Sequence, residues 1–119
     1  DIIDRIHKEL KLPVMADCST IEEGLEAAKL GADIVATTMS GYTPYSAETL
    51  AKGGPDMNML KTLVAEAGVL VIAEGRFNEP ENVEAALEAG ALAVVVGTAL
   101  TAPEWRMKQF TAVTEKFHK

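Results

Sequence analysis

The feature that most limits the fold is an unbroken apolar segment at residues 69–73, Val-Leu-Val-Ile-Ala, which offers no polar position to face water. Such a segment is typical of a strand covered on both faces, as in a parallel sheet flanked by helices. Residues 14–16, 32–36 and 92–96 are also predicted strands, and helical patterns separate the four. Strands that alternate with helices pair in parallel through right-handed crossovers. The sequence therefore predicts an α/β fold with four parallel strands.

Helix signals support this alternation. The chain opens with Ile3, Ile6 and Leu10 at helical spacing, so one helix is predicted before the first strand. Thr20 and Glu23 have the spacing of a capping box, in which each side chain satisfies a free backbone N–H of the other at a helix start. A second helix is therefore predicted to begin at Thr20, after the first strand.

Two later helices are predicted from their apolar faces. Asp56 follows Pro55 and is the predicted cap of the third helix, while Pro103 precedes the last. The inward residues are predicted to be Met57, Leu60, Val64 and Ala67 in the third helix and Phe110, Val113 and Phe117 in the last.

The longest predicted loop covers residues 40–55, where no helical or strand period is sustained and three glycines and two prolines occur. Long loops in compact domains are commonly lids or binding loops. We therefore expect residues at its start to contact a ligand, and the candidates are Thr38, Ser40, Gly41 and Tyr42.

Length and charge limit the size and the partners of this chain. Its 119 residues suffice for a single domain, residues 1–119, but not for an eight-unit barrel, which needs at least ~200. A net charge of -7 argues against nucleic acid or an anionic membrane as the main partner, and no apolar run nears the ~20 residues of a membrane span.

The cysteine count and the N-terminus bear on the compartment. A single cysteine, Cys18, excludes an internal disulfide and fits a reducing compartment. The N-terminus shows no secretory signal, so a cytoplasmic location is expected. The start at Asp1 suggests a processed or truncated chain.

Two carboxylates are placed where an α/β fold carries its chemistry. Asp17 and Glu74 each follow a predicted strand, and the carboxyl ends of parallel strands form one edge, where ligands bind. We expect both carboxylates to be partly desolvated there and able to move protons. The alternative is a structural role, in which Glu74 pairs with Arg76 or either group caps a loop.

Two glycine turns at the same edge are candidate anion sites. Gly75 and Arg76 follow one strand, while Gly97 and Thr98 follow the last, so backbone N–H groups and one cation could bind a phosphate. The alternative is that these glycines only serve tight turns.

The remaining reactive residue types carry weaker signals. Cys18 is better explained as a small buried residue than as a nucleophile. His7 and His118 are expected at the surface, and no metal site is predicted.

Four segments together resemble one family. Met-Ala-Asp-Cys-Ser-Thr at 15–20, Thr-Thr-Met-Ser-Gly-Tyr-Thr at 37–43, Val-Ile-Ala-Glu-Gly-Arg at 71–76 and Ala-Val-Val-Val-Gly-Thr-Ala at 93–99 are similar to the corresponding segments of N-acylglucosamine-6-phosphate 2-epimerases. These enzymes are also called N-acetylmannosamine-6-phosphate 2-epimerases. The segment at 37–43 is the most specific, and the resemblance covers nearly the whole chain.

The resemblance implies a fold and a reaction. The family is a TIM barrel, of which this chain would be the C-terminal half, strands five to eight with the helix before them. Its members interconvert phosphorylated N-acetyl amino sugars in bacterial sialic acid breakdown, without an added cofactor, by removing and returning the C2 proton.

It also implies roles for particular residues. Glu74 matches the family's catalytic glutamate and Asp17 an active-site aspartate, while Gly75, Gly97 and Thr98 fall on its phosphate loops. The family's catalytic lysine lies on a strand that this chain lacks, and Lys52 in the loop is only an improvised substitute. The chain alone is therefore expected to be inactive.

Two rival interpretations remain at this stage. One is a lyase or synthase built on the same phosphate-binding barrel. The other is a non-catalytic half-barrel that pairs with itself or another chain and so buries the open edges of a four-strand sheet. A homodimer is the expected oligomer.

Overall fold

The four predicted strands pair in chain order into one parallel sheet. The structure, a computed structural model, describes residues 2–117. Strand β1 is Met15–Asp17, β2 is Ile34–Ala36, β3 is Leu70–Glu74 and β4 is Ala93–Val95, in the order β1-β2-β3-β4. Every neighbouring pair is parallel, as in one half of a (β/α)8 barrel. The predicted α/β fold is confirmed.

Helices occupy the segments between the strands. Helix α1 continues directly into a π-helical turn, so one helical segment precedes β1 as predicted. The helical segments are α1 (Ile2–Arg5), the π turn (Ile6–Leu10), α2 (Ile21–Lys29), α3 (Ala47–Ala51), α4 (Met57–Glu66), α5 (Pro80–Glu88), α6 (Thr98–Thr101), α7 (Pro103–Ala112) and a 3-10 turn (Glu115–Phe117).

Helix α3 corrects the prediction of an irregular loop at 40–55. It has five residues, which is too short to display a helical period. Its position depends on hydrogen bonds to the rest of the loop, which no local pattern reveals. Among residues 2–117, no helix is both long enough and apolar enough to cross a bilayer.

Helix starts follow the predicted caps, with one change. The Thr20 hydroxyl accepts a hydrogen bond from Glu23 N at 3.2 Å, and Asp56 Oδ1 accepts one from Met59 N at 3.0 Å. The Glu23 carboxylate, however, accepts hydrogen bonds from the N–H and the hydroxyl of Ser19, each at 2.7 Å. These bonds lower the pKa of Glu23, the backbone N–H being the larger cause.

The two faces of the sheet differ, which corrects the prediction for residues 69–73. Val35 and Val71 are register partners and are 0% and 3% exposed. They belong to the core cluster that includes α4. Successive strand residues face opposite sides, and Leu70 is 52% exposed. This second face, called the open sheet face, is partly exposed in the described chain: Met15, Leu70 and Val95 on it are 46%, 52% and 40% exposed, although Ala36 on it is 0% exposed.

The core side of α4 agrees only in part with the prediction. Leu60, predicted to face inward, is 1% exposed, and the unpredicted Met59 and Leu63 are 1% and 0% exposed. The other predicted residues, Met57, Val64 and Ala67, are partly buried and pack against the edge of the core. Helix α4 packs against both β3 and the neighbouring helix α2, so it contacts the core over a wider arc than a one-sided helix would.

The predicted face of the last helix is exposed rather than packed. Phe110, Val113 and Phe117 are 68%, 62% and 74% exposed. Helix α7 contacts α6, and Arg106 pairs with Glu79 at 2.8 Å ahead of α5. The described chain is elongated, with dimensions of 65 × 27 × 26 Å.

Candidate active site

The two predicted catalytic carboxylates meet at one hydroxyl. Strands β1 and β3 flank β2, and Thr38, just after β2, therefore lies between Asp17 and Glu74. Its Oγ1 is 2.8 Å from Asp17 Oδ1 and 3.2 Å from Glu74 Oε2. A hydroxyl has a single hydrogen and donates to one carboxylate at a time. Both carboxylates thus lie within hydrogen-bonding distance of the Thr38 hydroxyl at the carboxyl edge of the sheet.

The exposure of these two carboxylates is unequal. Glu74 is half-buried, but Asp17 is exposed in the described chain. The expectation that both are partly desolvated is therefore wrong for Asp17. Strand β1 is an edge strand of the sheet, so Asp17 has a neighbouring strand on one side only.

Thr37 holds the backbone of Glu74 from the neighbouring strand. Its hydroxyl, 2% exposed with the rest of the residue, donates to Glu74 O at 2.8 Å and accepts from Glu74 N at 3.0 Å. One side chain thus takes the place of backbone pairing where the strands end. The sequence shows a threonine after an apolar strand, but it does not show this bond.

We expect Thr37→Val to destabilise the chain by about 1–3 kcal/mol, because the Glu74 N–H and C=O groups would lose their partner in a buried position. Urea unfolding measures this change. Thr62→Val is the matched control, because the Thr62 hydroxyl donates to Asn58 O on the exposed surface of α4. We expect it to change the free energy of unfolding by no more than ~0.5 kcal/mol. An equal loss of stability in both variants would contradict a stabilising role for the Thr37 hydroxyl.

The side chain of Arg76 is directed to residues 40–54, the segment that includes α3 and is called the 40–54 loop. Its Nε donates to Gly54 O and its Nη1 to Ser40 O. The guanidinium carbon lies 5.7 Å from the centre of the Tyr42 ring. Arg76, the predicted phosphate ligand, therefore already has two N–H groups bound to backbone carbonyls.

Hydrogen bonds organise the loop that Arg76 contacts. The Ser40 hydroxyl donates to Asp56 Oδ2 at 2.7 Å and lies 3.1 Å from Thr49 Oγ1. Gly41 N donates to the Ser46 hydroxyl at 2.9 Å. Two of the predicted ligand-contacting residues, Ser40 and Gly41, are thus buried in the loop itself.

A cavity of about 470 Å³ opens at this edge, within the range of small-ligand sites. Its wall combines the ends of β3 and β4 with the loop and the start of α7. The lining residues are Thr38, Tyr42, Leu50, Glu74, Gly75, Arg76, Phe77, Asn78, Val95, Gly97, Thr98 and Trp105.

Most of the predicted site residues share this cavity, but three do not. Asp17, Ser40 and Gly41 are not among its lining residues. Asn78 and Trp105 line it and were not predicted. Asn78 is a polar residue shortly after Glu74 and the end of β3, and this position could have identified it. Trp105 is an aromatic residue at the start of α7, which does not by itself indicate a site.

Cys18 is buried, as expected, at 3% exposure. Burial raises the pKa of its thiol to about 11, with smaller contributions from the charges of Glu23 and Asp17. We expect the folded chain to react with a disulfide reagent at pH 8 at least ~100-fold more slowly than the unfolded chain, because only the thiolate reacts. The release of the reagent's coloured thiol measures both rates, and equal rates would contradict a buried, protonated Cys18.

His7 takes no part in the site. His7 Nε2 lies 2.8 Å from Asp33 Oδ2, and the pKa of Asp33 is lowered mainly by the hydrogen bond from Val14 N and then by His7. His118 lies outside the described residues. Between residues 2 and 117, no three side chains of the His, Cys, Asp or Glu type are grouped to hold a metal ion.

The sheet has four parallel strands, and the carboxylates and the cavity lie at their carboxyl ends. This arrangement defines the class of (β/α)8-barrel proteins, and the chain forms half of such a barrel. The family model described as "Putative N-acetylmannosamine-6-phosphate epimerase" matches residues 1–116. The chain therefore belongs to the N-acetylmannosamine-6-phosphate epimerase family.

Individual relatives agree with this assignment. A curated relative from Clostridium perfringens, named "Putative N-acetylmannosamine-6-phosphate 2-epimerase", is 48% identical over 113 residues, 95% of this chain and 49% of its own length. A relative of the same name from Caldanaerobacter subterraneus is 52% identical over 84% of this chain and 41% of its own length. The chain thus spans about half the length of the curated relatives it matches.

Solved structures agree with the fold. That of the N-acetylmannosamine-6-phosphate 2-epimerase from Clostridium perfringens superposes with a TM-score of 0.84 at 47% identity, over 95% of this chain and 48% of the other. A mandelate oxidase variant shares the fold alone, with a TM-score of 0.59 at 23% identity over 93% of this chain and 34% of the other.

Proposed function

We propose that this chain supplies one half of the active site of an N-acetylmannosamine-6-phosphate 2-epimerase. In this proposal Glu74 is the acid–base group, and the enzyme acts in sialic acid breakdown in the cytoplasm. The observation that carries the proposal is the position of Glu74, whose carboxylate meets the Thr38 hydroxyl at 3.2 Å and lines the cavity that Gly97 and Thr98 also line.

The reaction needs an acid–base group beside C2 of the open-chain sugar. The C2–H bond breaks, its electron pair moves toward the C1 carbonyl to form an enolate, and a proton then returns to the opposite face of C2. Glu74 serves one of these proton transfers. Asp17 accepts the Thr38 hydrogen bond at 2.8 Å and so steadies the hydroxyl beside Glu74.

The second acid–base group comes from outside residues 2–117 in this proposal. No lysine of the described chain lines the cavity that contains Glu74. Lys52 lines a different cavity of about 270 Å³ beside α2 and α4, so it is a poor substitute. We therefore propose that the chain alone does not turn over.

The phosphate is proposed to bind at the glycine turns. Gly75, Gly97 and Thr98 lie on the wall that also carries Glu74, and a 6-phosphate bound there leaves the C2 end of the sugar to reach the carboxylate. Gly75 has φ +101° and a Cβ position close to the Thr37 and Thr38 carbonyls, so its backbone runs close to the strand ends.

The test uses two proteins and one substrate. The first protein is the chain alone; the second, called the fused barrel, joins the N-terminal half of the Clostridium perfringens relative to this chain. Each is incubated with N-acetylmannosamine 6-phosphate in deuterated water, and proton NMR follows deuterium at C2. We expect exchange and product only with the fused barrel.

Two outcomes would contradict the proposal. A fused barrel that is folded by circular dichroism but exchanges no C2 proton would remove the epimerase assignment. Rapid exchange by the chain alone would show that no group from outside it is needed. The N-terminal half by itself is the control.

A non-catalytic half-barrel closed by a second copy is favoured by one observation, the open sheet face. Met15, Leu70 and Val95 on that face are 46%, 52% and 40% exposed, and burying them would favour a homodimer. Sedimentation distinguishes a homodimer from a monomer, whose mass is 12.7 kDa. A stable dimer without epimerase activity in the fused barrel would support this alternative.

A further inference from the structure

The backbone at Arg76 has a conformation that its residue type rarely adopts. Arg76 has φ +60°, in the left-handed region, directly after Gly75 at φ +101°. L side chains rarely occupy this region outside turns and functional sites. The two residues turn the chain sharply at the end of β3, so the Arg76 side chain returns toward the preceding loop.

The guanidinium joins the two ends of that loop. Ser40 O accepts from Nη1 and Gly54 O accepts from Nε, although the two carbonyls are fourteen positions apart in the sequence. Hydrogen bonds from a charged donor are stronger than neutral ones, and the half-buried position of Arg76 limits competition from water. The Tyr42 ring packs against the same guanidinium at 5.7 Å.

Gly41 permits this approach. A Cβ on Gly41 would lie 2.6 Å from Arg76 Nη1 and 3.1 Å from both Leu50 N and Thr49 Oγ1, and Gly41 itself has φ +87°. A side chain at this position would displace either the guanidinium or helix α3. The lack of a side chain at Gly41 therefore allows the Arg76 guanidinium to contact the loop backbone.

The loop in turn builds part of the cavity that contains Glu74. Tyr42 and Leu50, both within the loop, line it together with Arg76. The position of these two side chains depends on how the loop is held to the end of β3.

We propose that Arg76 is a positioning residue that fastens the 40–54 loop over the carboxyl edge and so sets which substrates the cavity accepts. This role, which rests on the proposed function for its consequence in catalysis, replaces that of a principal phosphate ligand. Its structural part concerns only the loop and is tested without turnover.

Loop fastening is measured by amide hydrogen exchange on the chain alone. The N–H groups of Gly41, Ser46 and Thr49 donate hydrogen bonds within the loop, so slow exchange is expected in the native chain. In Arg76→Met we expect these amides to exchange at least about 10-fold faster, with the amides of β4 unchanged. Gly41→Ala keeps the positive charge and should give the same acceleration.

Binding of inorganic phosphate separates the two roles of Arg76. If Arg76 fastens the loop, Arg76→Met and Gly41→Ala change the phosphate Kd by similar, small factors of less than about threefold. If Arg76 is a phosphate ligand, Arg76→Met weakens phosphate at least about 10-fold, loop exchange stays slow, and Gly41→Ala leaves phosphate binding unchanged. The second pattern would overturn the proposal.

In the fused barrel a substrate-selecting role has its own readout. Arg76→Met should raise KM for N-acetylmannosamine 6-phosphate about 10-fold while kcat falls less than threefold. Arg76→Lys, which keeps a charged donor group without the planar fork, should reverse part of that rise in KM. Loss of kcat alone would contradict the role. Absence of all activity in the unmodified fused barrel would remove the proposed function, while the exchange experiment would still decide whether Arg76 fastens the loop.

Discussion

Glu74→Gln in the fused barrel is expected to lower kcat for epimerisation by about 10²–10⁴-fold, the usual contribution of a general acid–base group. Glutamine has nearly the same shape, and its amide N–H can donate to the Thr38 hydroxyl, whose oxygen lies 3.2 Å from Glu74 Oε2 in the native chain. The Thr37 hydroxyl bonds only to the backbone of residue 74, so the main chain stays in place. An amide cannot take or return the C2 proton, and KM should change little.

Initial rates by proton NMR in deuterated water measure this effect, with thermal unfolding of each variant as a check on the fold. Glu88→Gln on the exposed surface of α5 removes one carboxylate without touching the cavity and is the matched control. A purely structural role for Glu74 would lower stability and leave kcat within about threefold. That result would support the alternative in which Glu74 has only a structural role and caps a loop.

Leu63→Ala is expected to destabilise the chain by about 2–5 kcal/mol, because Leu63 is 0% exposed at the contact between α4 and α2 and the loss leaves a cavity. Urea unfolding measures the change. Leu30→Ala, at a position 45% exposed, is the control and should cost less than ~1 kcal/mol.

Gly24, the residue of α2 that Leu63 contacts, provides a stricter test of the packing between α2 and α4. A Cβ on Gly24 would lie 2.6 Å from Leu63 Cδ2 and 3.0 Å from Cδ1, and a fully buried leucine has little room to move. Gly24→Ala alone should therefore cost about 1–3 kcal/mol through overpacking, despite a gain of ~1 kcal/mol in helix propensity.

In the Leu63→Ala background the new methyl enters the cavity instead, so Gly24→Ala should be neutral or stabilising. The expected coupling between the two sites is about 1–3 kcal/mol. Effects that add to within ~0.5 kcal/mol would show that α2 and α4 adjust independently, contrary to the packing described above.

The strands were predictable because their signals are local. The apolar segments of β1 to β4 and the caps at Thr20 and Asp56 depend on residues a few positions apart. Parallel pairing followed from the alternation of elements. The same local signals placed Glu74 and Asp17 at the carboxyl edge of the sheet.

The sequence alone thus determined the order of elements, the fold class and which carboxylates lie near the strand ends. Tertiary structure decided which face of β3 is covered, that Leu63 rather than Val64 is the residue of α4 buried at 0% exposure, and that Thr38 bridges the two carboxylates. These features depend on side chains that are distant in the chain, such as Arg76 and Ser40. Periodicity describes neighbours a turn or a pleat apart, so it carries no information on contacts that form only when separate elements pack together.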